Sequence, residues 1–309
     1  MIVCKQLTKQ FVTGLRQRKV LALQGLDLEV TAGEIFGFLG PNGAGKTTAI
    51  KILMGLIYPT SGEARLLGKP LGDVGVKQRI GFLPESPYFY DYLTAAEFLT
   101  FYGQLFGRSG RELRSRIDEL LELVGLADRR RLRLRNFSKG MLQRIGLAQA
   151  LINDPSLVVL DEPMSGLDPV GRKEIRDLIL HLKEQGKTVF FSSHILSDAE
   201  MICDRVGILV GGRLREIGRV EELLGRLGAK TVEVVVAGLN GEAAARLRNM
   251  AVKAVVSGPS TMLVFDREER VDEALPVIMA GGGKLVSLVR QKGSLEDLFM
   301  REVAQERRE

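Results

Sequence analysis

Residues 40 to 47 read GPNGAGKT and fit the pattern G-x-x-x-x-G-K-[ST]. An apolar run, EIFGFLG, ends at this loop, and the helix-like stretch KTTAIKILMGL begins at its lysine. Glycines let backbone N–H groups point at phosphate oxygens, and a helix N-terminus adds positive potential. We therefore predict a nucleotide site in which Lys46 contacts the β- and γ-phosphates and the Thr47 hydroxyl binds Mg²⁺. The residues assigned to this phosphate loop are Gly40, Pro41, Asn42, Gly43, Ala44, Gly45, Lys46, Thr47 and Thr48.

Two further strand ends carry residues that suit phosphate chemistry. The apolar run SLVVLDEP ends in Asp161, placed to hold Mg²⁺ through water, and Glu162, placed to orient or deprotonate an attacking water. FFSSH ends in His194, one of two histidines in the chain. Ligands of open α/β sheets bind at the carboxyl ends of strands, which favours a catalytic role for His194 over a structural one. The alternative for SLVVLDEP is an acidic turn without a role.

Strands alternate with helices from residue 26 to residue 203, and this order predicts a mostly parallel sheet covered on both faces. A hairpin is expected around Gly211 and Gly212, and a capping box at Ser109 and Glu112 is expected to begin one helix. From residue 221 the order becomes βαββαβ, the split-βαβ arrangement of ferredoxin-like domains. We predict two domains, residues 1–220 and residues 221–309.

Composition is that of a globular protein, with 45% hydrophobic and 27% charged residues, and no apolar run is long enough to cross a bilayer. A cytoplasmic location is expected. Cys4 and Cys203 lack metal or redox spacing and are expected to be buried thiols. The net charge of +6 is concentrated in DRRRLRLR, residues 128–135. This run is either a solvated charged face or a surface for anionic lipid or nucleic acid.

With GPNGAGKT, NFSKGMLQRIGLAQAL, LVVLDEP, SGLD and SSH in this order, the chain resembles the nucleotide-binding subunit of an ABC transporter over residues 1 to about 220. It is most similar to single-domain subunits that pair with a separate exporter-type permease. The resemblance implies an α/β P-loop NTPase with a mostly parallel core sheet, an N-terminal antiparallel β subdomain and a helical subdomain. The small C-terminal α+β, ferredoxin-like domain adds to it. ATP and Mg²⁺ are the implied ligands.

In this family two subunits face each other head to tail, and each ATP lies between one phosphate loop and the partner's signature motif. The signature here is FSKGM, in which Ser138 and Gly140 fit the family pattern and are expected to meet the γ-phosphate, whereas Lys139 and Met141 depart from it. The alternative for Ser138 is a plain helix N-cap. Asp168 matches the acid that links the two sites, and it is also an N-cap candidate for the next helix. Phe11 matches the aromatic residue that stacks on adenine, although an apolar core position is the alternative.

The stretch FLPESPYFYDYLT, residues 82–94, combines two prolines with an unusual number of aromatics. The family has a glutamine where this chain has Glu85, and a metal-linked role for Glu85 follows from the resemblance, with a carboxylate oxygen as the ligand. The aromatics after it are expected to grip a cytoplasmic helix of the permease, and local packing under the loop is the alternative. They are Tyr88, Phe89, Tyr90 and Tyr92.

The function expected from the resemblance is an ATPase subunit on the inner face of the cell membrane. It drives transport, in the direction of export, through a separate permease. Nucleic acid is not an expected partner, and the transported substrate cannot be read from the sequence. The main alternative is a soluble ABC ATPase that acts on ribosomes or nucleic acid, but such proteins usually resemble two fused cassettes or carry a long coiled coil. A stand-alone P-loop switch would have no use for the FSKGM helix.

Overall fold

A computed structural model describes residues 1–13, 18–227 and 229–306. By internal contacts the chain forms two compact units, one of Met1–Val220 with the end of the final helix from Arg301, the other of Glu221–Met300. The boundary after residue 220 stays a prediction of domain organisation. Among the described residues, no helix combines the length and the apolar character needed to cross a membrane.

The first unit contains two sheets. Its strands are β1 (Ile2–Thr13), β2 (Arg18–Val30), β3 (Ile35–Leu39), β4 (Ser61–Leu66), β5 (Lys69–Pro70), β6 (Ile80–Leu83), β7 (Leu157–Leu160), β8 (Thr188–Ser193), β9 (Arg205–Val210) and β10 (Arg213–Arg219). Strands β2-β1-β4-β5 form an antiparallel sheet, and β10-β9-β3-β8-β7-β6 form the second sheet, in which every neighbouring pair is parallel except the β9–β10 hairpin. The mostly parallel core sheet and the N-terminal antiparallel subdomain are confirmed.

Burial explains why the central strands read as continuous apolar runs. Every residue of β3, β7 and β8 is buried, as expected for parallel strands that are covered on both faces. The apolar side of the antiparallel sheet and the helix after the phosphate loop join β3 and β8 in one hydrophobic core, which includes Phe36, Phe38 and Phe190. Because β3, β8 and β7 are neighbours and parallel, their carboxyl ends meet at the same edge of the sheet.

The helices of the first unit are α1 (Lys46–Leu53), α2 (Val74–Lys77), α3 (Ala95–Leu105), α4 (Gly110–Leu123), α5 (Lys139–Ala150), α6 (Pro169–Glu184) and α7 (Leu196–Ile202). Helices α3, α4 and α5 pack against one another as the helical subdomain. The predicted capping box at Ser109 and Glu112 is wrong, because Ser109 makes no side-chain cap and Glu112 instead pairs with Arg108 at 2.8 Å. A capping box lies at the start of α3, between Thr94 and Glu97.

The second unit is a helix-covered antiparallel sheet. Its elements are α8 (Val220–Leu227), β11 (Ala229–Ala237), α9 (Gly241–Met250), β12 (Lys253–Ser257), β13 (Ser260–Phe265), α10 (Glu268–Ala280), β14 (Lys284–Lys292) and α11 (Leu295–Glu306). The sheet order is β12-β13-β11-β14 with all pairs antiparallel, which confirms the ferredoxin-like arrangement. Alternate residues of β11 are buried with Phe265 and Leu247 in a separate core.

Candidate functional site

The phosphate loop joins the end of β3 to the start of α1. A Cβ atom added at Gly40 would lie 2.4 Å from the carbonyl oxygen of Leu209, and one at Gly45 would lie 2.3 Å from that of Ala22. Gly45 also has a φ of 108°, a conformation that is costly for residues with a side chain. The glycines therefore permit a tight loop that presses against neighbouring backbone. Its residues 41–48, with Ala22, Glu85 and Glu162, line a cavity of about 230 Å³.

Lys46 and Glu162 form a buried ion pair at this cavity. The Lys46 ammonium donates to the carbonyl oxygens of Gly40 (2.7 Å) and Pro41 (3.2 Å) and lies 3.1 Å from Glu162 Oε1, and both side chains are less than a tenth exposed. The other carboxylate oxygen, Oε2, lies 2.7 Å from His194 Nδ1 and accepts from the His194 backbone N–H. The carboxylate of Glu162 thus contacts the Lys46 ammonium, the group that the sequence assigns to phosphate oxygens.

The backbone of Glu162 has a φ of 52°, which is unusual for a residue other than glycine. Its N–H donates to Ser192 Oγ at 2.9 Å, and Ser192 Oγ in turn donates to Asp161 Oδ1 at 2.6 Å. One hydroxyl of β8 therefore fixes both acids at the end of β7. Strained backbone of this kind persists where surrounding contacts hold it in place and is common at functional sites.

Asp161 is nearly fully buried and accepts a hydrogen bond from the Thr47 hydroxyl at 3.2 Å. Burial raises the pKa of the Asp161 carboxyl, the hydrogen bonds from Ser192 and Thr47 oppose this rise, and the negative charges of Glu85 and Glu162 add to it. Glu85 lines the same cavity as Glu162, and its role toward a metal stays a prediction.

Oxygen atoms of these residues suit Mg²⁺, a hard cation that prefers carboxylate and hydroxyl ligands. Thr47 and Glu85 line the phosphate-loop cavity, and Asp161 lies within hydrogen-bonding distance of Thr47. In the described part of the chain, no group of three or more His, Cys, Asp or Glu side chains could enclose a metal. Mg²⁺ commonly keeps several waters and binds phosphate oxygens, so it needs few protein ligands.

A second cavity, of about 410 Å³, collects the residues expected from the signature motif. It is lined by Ser138, Lys139 and Gly140 at the start of α5 and by Gly166–Asp168 before α6. Ser138 Oγ accepts from Met141 N at 3.3 Å and Asp168 Oδ1 accepts from Gly171 N at 2.7 Å, so both residues cap a helix. No residue of the phosphate loop lines this second cavity. The residues expected for the two halves of an ATP site thus line two separate cavities of one chain.

Phe11 lies on β1, opposite Val20, with its ring partly exposed and the Lys9 ammonium 5.0 Å from the ring centre. It is not among the residues that line the phosphate-loop cavity. A core position, the alternative for Phe11, is wrong because its ring is accessible. Its stacking on adenine stays a prediction.

Residues 82–94, the aromatic loop, contain aromatic side chains that pack inward and others that are exposed. Phe89 packs on Phe98 of α3 with ring centres 5.5 Å apart, and Tyr90 packs edge-on against Phe101 at 5.4 Å. Tyr88 and Tyr92 are 82% and 62% exposed. Local packing thus accounts for Phe89 and Tyr90, whereas the two outer tyrosines, Tyr88 and Tyr92, contact the Tyr90 ring (ring centres 6.0 Å and 6.1 Å away) and stay largely exposed.

Sequence reasoning missed three residues that shape the site. Ser192 bridges the two acids, Ala22 of β2 lines the phosphate-loop cavity, and Gln143 of α5 donates to the Pro163 carbonyl oxygen at 2.8 Å, directly after Glu162. Ser192 lies in the quoted FFSSH, where a hydroxyl two residues before the histidine is a signal. Ala22 and Gln143 have no local signal, because only folding brings them to the site.

Both cysteines are free. Burial, with a smaller contribution from the Asp27 charge, raises the pKa of Cys4 to about 12. Burial also raises the pKa of Cys203 well above its usual value. Cys4 is a buried thiol, as predicted. Cys203 as a residue is half-buried, and its Sγ packs so closely on Gly37 that a Cβ atom added there would lie 2.7 Å from the sulfur.

Comparison with known proteins agrees with this geometry. The family model described as ABC transporter matches residues 23–165. An uncharacterized ABC transporter ATP-binding protein of Synechocystis sp. is 48% identical over 307 residues, covering 96% of this chain and 83% of that protein. The Nod factor export ATP-binding protein I of a Rhizobium species is 34% identical and covers 91% of both chains. A dimeric, post-hydrolysis ATP-binding cassette bound to ADP and Pi superposes with a TM-score of 0.65 at 28% identity, over 71% of this chain and 99% of that one. The chain therefore belongs to the ABC transporter family, as one of its ATP-binding and ATP-hydrolysing subunits.

Proposed function

We propose that two copies of this chain, or this chain and a homologous subunit, close head to tail around two ATP molecules and drive export through a separate permease. ATP-binding cassettes of this family dimerise and work with a membrane permease. The observation that carries the proposal is the separation of the two cavities. Ser138 and Gly140 line one cavity, and Lys46 and Glu162 line the other. A partner subunit placed head to tail would bring the signature cavity of one chain against the phosphate-loop cavity of the other.

In the proposed cycle, Lys46 exchanges Glu162 for the phosphates of ATP. Its ammonium is already oriented by the carbonyl oxygens of Gly40 and Pro41, so the exchange needs no movement of the loop backbone. The start of α5 supplies backbone N–H groups and the Ser138 hydroxyl to the partner's γ-phosphate, where the helix N-terminus favours negative charge. Binding thus relies on preorganised donors.

Released from Lys46, the Glu162 carboxylate is free to orient and deprotonate the attacking water. His194, whose Nδ1 lies 2.7 Å from Glu162, keeps that carboxylate in position and contributes to the γ-phosphate site. Thr47, Asp161 and Glu85 are the residues that would hold Mg²⁺, which neutralises phosphate charge when it is bound. Asp168 caps α6 and joins the two sites, and Phe11 stacks on adenine.

A complementation experiment tests the head-to-tail arrangement. Lys46→Ala disables the phosphate loop, and Gly140→Asp places a negative charge at the signature without a steric clash, since a Cβ at Gly140 meets only Leu167 at 3.8 Å. Each variant alone should be inactive. In mixed dimers one site combines both intact halves, so an equal mixture should recover roughly a quarter of the wild-type ATPase rate. A mixture as inactive as its components would contradict the arrangement.

We also propose that the outer tyrosines of the aromatic loop contact the permease at the inner face of the membrane. Tyrosine is enriched in protein interfaces, and Tyr88 and Tyr92 are exposed beside Glu85 of the nucleotide site. Tyr88→Ala with Tyr92→Ala should weaken co-purification with the permease and leave ATP affinity unchanged. Phe89→Ala is the matched control, because that ring packs on Phe98 and its loss should lower stability instead. Unchanged permease binding by the double variant would remove the tyrosines from the interface.

Export is proposed from the relatives, one of which is named for Nod factor export. The alternative of a soluble ABC ATPase acting on ribosomes or nucleic acid is not favoured, since the relatives are named as transporter subunits over most of this chain's length. Transport assays with inverted vesicles that contain the co-purified permease would test the direction. Accumulation inside such vesicles is the result expected for an exporter.

A further inference from the structure

The arginine segment, Asp128–Arg135, lies directly beside the aromatic loop. Backbone hydrogen bonds join Ala96 N to Arg130 O (3.1 Å), Leu134 N to Leu93 O (2.8 Å) and Arg135 N to Asp91 O (2.9 Å). A bridge between Thr94 and Arg133 adds to these contacts. The segment therefore runs antiparallel to residues 91–96, at the end of the aromatic loop.

The leucines and arginines of the segment differ in burial. Leu134 is buried and Leu132 half-buried, whereas Arg131, Arg133 and Arg135 are exposed. Arg129, in the preceding 3₁₀ turn, is also exposed. These four residues are named here the arginine patch.

The arginine patch is poor in compensating charge. Within the described residues, none of its four guanidinium groups forms an ion pair at 4.0 Å or less, whereas the neighbouring Arg130 pairs with Asp118. The pKa of the exposed Glu97 carboxyl is lowered mainly by hydrogen bonds from Thr94, and the charge of Arg133 contributes less. The patch thus presents several unpaired positive charges on one surface.

We propose that the arginine patch binds the anionic headgroups of the membrane surface. A basic segment gains affinity from each charge held near an anionic leaflet, without needing a concave site. The four guanidinium groups are exposed and, within the described residues, form no ion pair, so their charge is available to headgroup phosphates.

This role goes beyond the permease contact and holds the subunit near the bilayer independently of it. A membrane is favoured over nucleic acid or an acidic protein segment because ATP-binding subunits of this family work with a membrane permease, which would hold the unpaired arginines near a bilayer. The interaction is electrostatic and should weaken as salt rises. Its strength should depend on the number of charges more than on the shape of any one side chain.

The test is sedimentation of the full chain with permease-free vesicles of phosphatidylcholine, with and without about one-third phosphatidylglycerol. Replacing the four arginines of the patch by Gln should reduce partitioning onto the anionic vesicles by several hundredfold, at roughly fivefold per arginine. Replacing the same four by Lys should retain binding to within about tenfold, because the charges remain. ATP affinity and the thermal midpoint should not change in either variant.

A matched control removes the same charge elsewhere. Arg246, Arg248, Lys253 and Arg301 are exposed and lie outside the arginine patch, and their joint replacement by Gln should leave vesicle binding within about fivefold of the unmodified chain. Equal loss in control and patch variants would overturn the proposal, as would equal binding to neutral vesicles. The proposal would also be overturned if the unmodified chain did not bind anionic vesicles and the patch variant lost permease association or DNA binding instead.

Discussion

The ion pair between Lys46 and Glu162 leads to a prediction about the glutamate that turnover alone does not reveal. Glu162→Gln should bind ATP more tightly than the unmodified chain, besides losing hydrolysis. Glu162 Oε1 lies 3.1 Å from the Lys46 ammonium in a buried site, so phosphate oxygens that bind Lys46 must compete with it. Glutamine keeps the shape of glutamate but has no charge, and its amide oxygen is a weaker acceptor.

The size of the effect follows from the strength of this contact. A hydrogen bond to a charged group contributes about 1.5–3 kcal/mol net, and its neutral counterpart about half as much. The competition that ATP must overcome is therefore reduced by about 1 kcal/mol, which corresponds to roughly fivefold tighter binding. Turnover should fall by at least about 100-fold, because the group that activates water is lost.

Calorimetric titration with a non-hydrolysable ATP analogue measures the affinity, and phosphate release measures turnover. Glu85→Gln is the matched control, since it removes one negative charge from the same cavity and, in the described structure, Glu85 forms no ion pair with Lys46. It should tighten binding less than Glu162→Gln does. The reasoning is refuted if Glu162→Gln binds the analogue no more tightly than the control variant, or if it hydrolyses ATP at the normal rate.

Three further predictions concern titration and capping. Burial first, and then the charge of Glu85, raises the pKa of Asp161, so the carboxylate proposed to bind Mg²⁺ is protonated at a higher pH than an ordinary aspartate. Glu85→Gln should therefore shift the loss of Mg²⁺-dependent ATP binding to lower pH, and an unshifted midpoint in a pH series would contradict this. Burial raises the pKa of Cys4 from 9.0 to about 12, so the stability that the neutral thiol contributes is lost only as pH rises through that range. The native thiol should therefore resist a maleimide at pH 8 until denaturant is added. Thr94→Ala should lower the free energy of unfolding by about 1 kcal/mol in urea titration, since Thr94 caps α3, whereas Ser109→Ala, at a helix start without a side-chain cap, should change it by less.

Local sequence was sufficient where short-range geometry decides the structure. The phosphate loop needs glycine at positions 40 and 45 because neighbouring carbonyl oxygens leave no room for a Cβ atom. Such a loop can therefore be recognised from its sequence pattern. The βαββαβ order of residues from 221 onward likewise predicted the second unit, since its strands and helices are short and clearly separated. The misplaced capping box shows the limit, because Ser109 and Glu112 have the right spacing but Arg108 takes the glutamate.

The sequence by itself determined the identity of the chemical groups, namely a phosphate loop, two acids after a buried strand, a histidine after the next strand and a signature helix. Only the tertiary structure decided their relations. Parallel pairing of β3, β8 and β7 brings Lys46, Glu162 and His194 into contact, and it lets Ser192, 30 or 31 positions from its two partners in the chain, hold both acids. Packing also separated the signature cavity from the phosphate loop and turned Tyr88 outward while Phe89 turned inward. Motifs depend on neighbours along the chain, whereas these contacts depend on which distant surfaces can be buried together, and no short stretch of sequence specifies that.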